Sequence, residues 1–257
     1  GGHLHPRALK TRADLVVDGR GRIRRVVSTP PITFRRTADA VYLVGTAAGP
    51  LGDDDLSICV AVCDGGSLKV RSAAATMVYA GAGSRQRFDI SVGSDATLDW
   101  HPEPVIATAS CHHLQDVRVT LEDNARLDWT EEVVLGRHGE APGKIDLRMQ
   151  VDLAGRPLLR HQLAVGSPGW DGPAVLDGQR AAGLRLIVNA SPPQPGPATG
   201  PGWAWLELEG PAQLLVAYGA DLIELRERTT DASKRWPVAE SPASGRQTVS
   251  VAGASVG

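Results

Sequence analysis

Glu103 is held between Pro102 and Pro104 at the end of a strand-like run, Leu98-Asp-Trp-His-Pro-Glu-Pro-Val-Ile106. Proline fixes φ and restricts the residue before it, so the Glu103 carboxylate leaves the chain in a pre-set direction at low entropic cost. Such stiffness suits a group that must meet a cation or a partner at a fixed place, and it equally describes a rigid surface turn. Close in sequence stand His101, Cys111, His112 and His113. Together with Glu103 the histidines supply the donor types of a three-ligand hydrolytic zinc site. His101-Pro-Glu103 is, however, only the first half of the zinc deaminase signature, and its Pro-Cys-x-x-Cys half is absent. On a strand, Cys111 and His113 share a face while His112 points away, which fits transient metal handling or ordinary strand residues.

Two further groups carry donors. In Gly1-Gly2-His3 a free amine, two deprotonated amides and an imidazole can wrap Ni(II) or Cu(II) in a square plane, if Gly1 is the real terminus. Otherwise His3 is a chance residue near a chain end. The glycine-rich stretch Gly45 to Asp55 brings Asp53, Asp54 and Asp55 to a loop before the next strand. Carboxylates there suit a hard cation, an arginine or water. The stretch is not a phosphate loop, because no Gly-Lys-Ser/Thr follows. Farther on, Glu131 and Glu132 enter a β-branched run that stops at Gly136 and places Arg137 in a turn. No nucleophile elbow or Ser, His and Asp constellation stands out.

The elements that position these groups read as strands. Gly66-Ser-Leu-Lys-Val70, Asp95-Ala-Thr-Leu-Asp-Trp100 and Asn124-Ala-Arg-Leu-Asp-Trp129 are alike, and each follows an alternating apolar strand. Leu68, Leu98 and Leu127 recur at about 30-residue intervals, the range of repeated supersecondary units. A later copy is expected over Leu206 to Val216, and Asp152-Leu-Ala-Gly155 reads as a hairpin turn. The fold class expected is therefore all-β: stacked strand–turn–strand units forming layered sheets or a β-solenoid-like body, with one or two short helices. The best helical spacing lies in Ala220 to Arg228. Residues 1–257 read as a single β-rich domain, with 191–202 a Pro/Gly-rich loop and 237–257 a flexible tail that adds little to the core.

With 257 residues the chain is ample to bury a core, and 29 glycines with only two phenylalanines point to short strands and turns rather than packed helices. A net charge of -2 gives no overall basic footprint for nucleic acid. Arg20, Arg22, Arg24, Arg25, Arg35 and Arg36 cluster near the start, as an anionic-partner surface or as a solvated strand face. No apolar run reaches the length of a membrane span and no signal peptide is evident, so no membrane is expected. Three cysteines without a spaced framework favour the cytoplasm.

Four blocks carry a family resemblance. Gly49-Pro-Leu-Gly-Asp-Asp54, Ala74-Ala-Thr-Met-Val-Tyr79, Leu98 to Ile106 and Glu132-Val-Val-Leu-Gly-Arg137 are similar, in order and spacing, to blocks of urease accessory protein D (UreD, called UreH in some lineages). Asp53, Met77 and Asp99 depart from the usual glycine, lysine and glutamate. The resemblance implies a β-rich, non-enzymatic scaffold that binds urease apoprotein and a UreF-like helical partner, and through it a UreG-like GTPase. It also implies that Ni2+ passes transiently through the interior with no tightly bound cofactor. Asp54, Trp100, Glu103, Glu132 and Arg137 are the expected partner or conduit residues, with His3, Cys111, His112 and His113 as metal donors. A metal-dependent hydrolase using His101, Glu103, His112 and His113, and a metal-free β-solenoid binding module, are the alternatives.

Overall fold

Apolar residues at every second position lay down strands with one face turned inward, and in the computed structural model these inward faces meet between two sheets. The structure describes residues 9–47, 49–190 and 196–234. The chain begins with hairpins β1 (Lys10–Val17) to β2 (Ile23–Ser28) and β3 (Ile32–Arg36) to β4 (Val41–Gly45). Three similar coils follow. The first is β5 (Asp55–Val62) to β6 (Ser67–Ser72), returning through β7 (Thr76–Val78). The second is β8 (Ser84–Val92) to β9 (Thr97–His101), returning through β10 (Val105–Ala107). The third is β11 (His112–Leu121) to β12 (Arg126–Leu135). Next come β13 (Lys144–Leu153) and β14 (Arg156–Val165), then β15 (Ala181–Val188), β16 (Ala198–Gly200), β17 (Trp203–Glu207) and β18 (Ala212–Gly219), and lastly helix α1 (Leu222–Lys234).

Each coil places its first strand in one sheet and its second in the other, so successive coils pair in parallel. The first sheet runs β14-β13-β11-β8-β5-β1-β2 and the second β16-β17-β18-β15-β12-β9-β6-β4-β3. The repeat seen in the sequence becomes a ladder: Leu68 lies beside Leu98 and Leu98 beside Leu127. One step on, Val70, Trp100 and Trp129 form a second inward row. The Trp100 and Trp129 rings stack with centroids 4.8 Å apart and planes 3° from parallel, and Phe88 meets Trp100 edge-on at 5.7 Å. A stack of this kind adds about 0.5–1.5 kcal/mol to the burial of the rings.

The turns explain the repeat's composition. Gly65, Asp95 and Asn124 occupy equivalent positions with φ of 68°, 56° and 57°. That left-handed region is reached at least cost by glycine, asparagine and aspartate. Turn backbones also bond to one another, Gly65 N to Ser94 O at 2.8 Å and Asp95 N to Asp123 O at 3.0 Å.

The expected β-solenoid-like body is present, but its ends differ from the repeat. The segment Leu206 to Val216 is not another coil: Gly210 and Pro211 reverse the chain within one sheet, and β17 and β18 pair antiparallel. The expected loop 191–202 contains β16, which folds back on β17 through a turn at Gly202. Its residues 191–195 and the tail 237–257 lie outside the described residues. The helix starts after Ala220, where Asp221 and Glu224 cap it, and runs past Arg228 to Lys234. Asp221 Oδ1 accepts from Glu224 N at 2.9 Å, and Glu224 reaches back to Ala220 N at 2.6 Å.

Candidate functional site

The inward row one step beyond the tryptophans is polar. On β11 the alternation that buries Val117 and Val119 also buries Gln115 and His113, and on β12 the phase of Trp129 and Val133 buries Glu131. Ser84 and Gln86 take the same positions on β8. Gln115 lies beside Gln86 and His113 beside Ser84 in the parallel ladder, so their side chains share one face about 4.8 Å apart from strand to strand. Gln115 Nε2 donates to Glu131 Oε2 at 2.7 Å across the gap between the sheets.

The two ends of this file line separate cavities. Gln86 lines one of about 270 Å³, with Pro50, Leu56, Met77 and Tyr79, on the β3–β4 side of β11. Glu131 lines another of about 290 Å³, with Leu147, His161, Gln162 and Tyr218, on the β13–β14 side. Burial pushes the Glu131 carboxyl up to about 7, and the Gln115 hydrogen bond only partly offsets that. It therefore exchanges a proton near neutrality. Burial lowers His113 to about 4, so its imidazole is neutral. His113 Nδ1 lies 2.8 Å from Ser84 Oγ, and its Nε2 has no partner among the described residues. A carboxylate, amide oxygens and a free imidazole nitrogen are weak, exchangeable donors for a divalent ion.

The residues singled out in the sequence are placed as follows. Trp100 is in the core stack. Asp54 is buried and structural: its carboxylate accepts from Leu9 N at 3.0 Å and Leu51 N at 3.1 Å, pinning the Gly49–Gly52 loop. Gly81 packs on that loop so closely that a Cβ there would sit 2.5 Å from Gly52 N. Glu103 and Glu132 are brought together by Arg226 of α1, at 3.0 Å and 2.8 Å. The Glu132 hydrogen bond outweighs burial, and with that of Glu103 holds the guanidinium charged. Arg137 is exposed and pairs with Glu140 in its own turn at 2.9 Å. His101 is committed to the outer face of the sheet. Its Nε2 lies 3.4 Å from Asp99 Oδ1 and 3.0 Å from Asp128 Oδ1, with Arg71 and Arg185 closing the row. Burial pushes Asp128 up, but its bonds to Arg185 and His101 win and hold it below the usual carboxylate range.

The metal donors do not assemble. Alternation leaves His112 exposed while Cys111 and His113 are buried, and burial pushes the Cys111 thiol up to about 11. Among the described residues no group of three His, Cys, Asp or Glu side chains is placed to hold an ion. The four-residue hydrolase set is likewise dispersed, with Glu103 on Arg226 and His113 in the interior. His3 lies outside the described residues.

Blocks of the resemblance meet the cavity that Gln86 lines: Gly49 and Pro50 of the first, and Ala74 to Met77 with Tyr79 of the second. Residues 9–227 match the family model described as UreD urease accessory protein. The chain belongs to the UreD family. It is 40% identical over 221 residues to Urease accessory protein UreD 3 of Streptomyces griseus, covering 79% of this chain and 86% of that protein. Urease accessory protein UreD of Streptomyces coelicolor is 40% identical over 215 residues, covering 76% and 83% respectively. Urease accessory protein UreD 1 of Saccharopolyspora erythraea is 33% identical over 243 residues, covering 90% and 95%. In this UreD chain no helix among the described residues is long and apolar enough to cross a membrane.

The buried polar file is not among the site residues expected from the sequence, which include Glu132 but not Glu131. The signal was there: Trp129 faces inward, so at period two Glu131 does also, while Glu132 turns out toward α1.

Proposed function

We propose that this UreD family chain is a non-enzymatic scaffold for urease maturation. It binds urease apoprotein and a UreF-like helical protein, recruits a UreG-like GTPase through that partner, and passes nickel through its interior to the urease site. The observation that carries this reading is the buried polar file Gln86, Gln115 and Glu131, whose two ends line separate cavities. An unneeded buried carboxylate is costly, and among the described residues this one is held by the Gln115 amide. A Ni2+ ion entering beside Glu131 would displace its proton, and on leaving would return it, so the group can hand the ion on without trapping it. Tight tetrahedral ligation would do the opposite. On this reading the protein works in the cytoplasm, where the free thiols of Cys59, Cys63 and Cys111 stay reduced.

Co-expression tests the scaffold role. The tagged chain is expected to retain urease apoprotein together with the UreF-like partner, and to restore urease activity to cells lacking their own UreD family protein. Failure of both would refute it.

A further inference from the structure

The stretch Arg20 to Arg36 holds six arginines and no carboxylate, in a chain of net charge -2. The fold carries these arginines to one end of the body, where β2 and β3 are the outermost strands of their sheets. Among the described residues β2 pairs as a strand with β1 alone, and Arg24 through Val27 are exposed on both of its faces, with Val26 45% and Val27 40% exposed. β3 pairs with β4 and, among the described residues, meets β2 through Phe34 N, which donates to Ser28 Oγ at 3.4 Å. Between the two open edges lies a cleft of about 410 Å³ lined by Val26, Ser28, Ile32, Thr33 and Arg35.

Charge at this end is not balanced. Asp18 answers Arg22 and Arg24 at 3.0 and 2.7 Å, and Asp14 answers Arg12 and Arg25 at 2.7 and 3.6 Å. Arg20, Arg35 and Arg36 have no ion pair among the described residues. An edge strand also presents a row of unpaired backbone donors and acceptors, and the group that matches such a row is another extended backbone. Arginines alone would read as protection against that pairing. Here two exposed valines and a cleft accompany them, which protection does not require.

We propose that the β2–β3 edge is a docking site for an extended acidic segment of a partner protein. The segment adds to the free edge of β2 through main-chain hydrogen bonds. Its carboxylates meet the arginines, and its alternate apolar side chains meet Val26 and the cleft. Phosphates of a nucleic acid would use the arginines but not the strand edge.

Fluorescence polarisation with the full chain tests this, using a labelled peptide of about eight alternating Glu and Val residues, long enough to pair with a strand of ordinary length. It is expected to bind at least about tenfold more tightly than the matching Lys and Val peptide at low salt, and to weaken as salt rises. Methylating alternate peptide nitrogens keeps every charge and removes the main-chain donors, so it should abolish binding. The double variant Arg35→Glu, Arg36→Glu should reverse the preference between the two peptides. Equal binding of acidic and basic peptides, undiminished binding of the methylated peptide, or tighter binding of an oligouridine than of the acidic peptide would each overturn the proposal.

Discussion

Gln115 on one sheet and Glu131 on the other are joined by a 2.7 Å hydrogen bond that spans the space between the sheets. The bond places a carboxyl that titrates near neutrality in the interior, beside a histidine-bearing strand, and gives stability an unusual dependence on pH.

Burial raises Glu131 from 4.5 to about 7, so the folded chain keeps a proton that the unfolded chain loses. Its contribution to stability is present below pH 4.5 and is lost as pH rises toward about 7. Burial lowers His113 from 6.5 to about 4, so its contribution is present above 6.5 and is lost as pH falls toward 4. Each amounts to something on the order of 3 kcal/mol across its window. Between pH 4.5 and 6.5 the two slopes oppose. Urea denaturation at several pH values is expected to show Glu131→Gln losing stability more steeply on acidification than wild type. His113→Gln should lose it less steeply. The same slope in all three proteins would contradict the buried states assigned to both groups.

Arg226 is expected to matter more to stability than its exposed partner Glu103 suggests. Glu103→Ala removes a half-exposed ion pair and should cost under about 1 kcal/mol. Arg226→Ala leaves the Glu132 carboxylate, only 9% exposed, without its cation, and should cost about 2–3 kcal/mol. Denaturant midpoints for the two variants check the order.

In the core, Trp129→Ala deletes half of the stacked pair and should cost about 3–5 kcal/mol, with near-ultraviolet circular dichroism losing the signal of the coupled indoles. A loss near 1 kcal/mol would mean that the two sheets close over the cavity.

Much of the architecture could be read from the chain, because its determinants are local. The alternation around Leu68, Leu98 and Leu127, and the turn residues Gly65, Asp95 and Asn124, set strand phase and coil spacing together. The same alternation separated His112 from Cys111 and His113. The ends were less legible. Whether a turn sends the chain to the other sheet or back along the same one depends on which edge is free, and the sequence near Gly210 does not state that. The candidate site was legible only in part. Glu103 was singled out for its stiff flanks, but its partner Arg226 lies 123 residues away and is met only through helix packing. Asp54 reads in the sequence as a loop carboxylate open to a cation, an arginine or water, and its bonds to Leu9 N and Leu51 N depend on a chain reversal that local pattern does not state.

Nickel binding by the isolated chain should be weak and dependent on pH. Removing Gly1 to His5 eliminates the possible terminal chelate, so calorimetry on the shortened chain reads the interior. Affinity is expected to fall as pH drops below about 7, and Glu131→Gln should remove that dependence. A stoichiometric ion surviving chelator dialysis in the shortened chain would point to a closed site instead.

The most direct measurement is the nickel content of urease matured with Glu131→Leu, which keeps the volume but removes the exchangeable carboxyl. The variant is expected to co-purify with urease apoprotein and the UreF-like partner as wild type does, while nickel per urease active site falls at least about tenfold, as for loss of an obligatory ligand. Urease carrying its full nickel complement, from a variant shown to be folded and bound, would contradict passage of the ion through the interior.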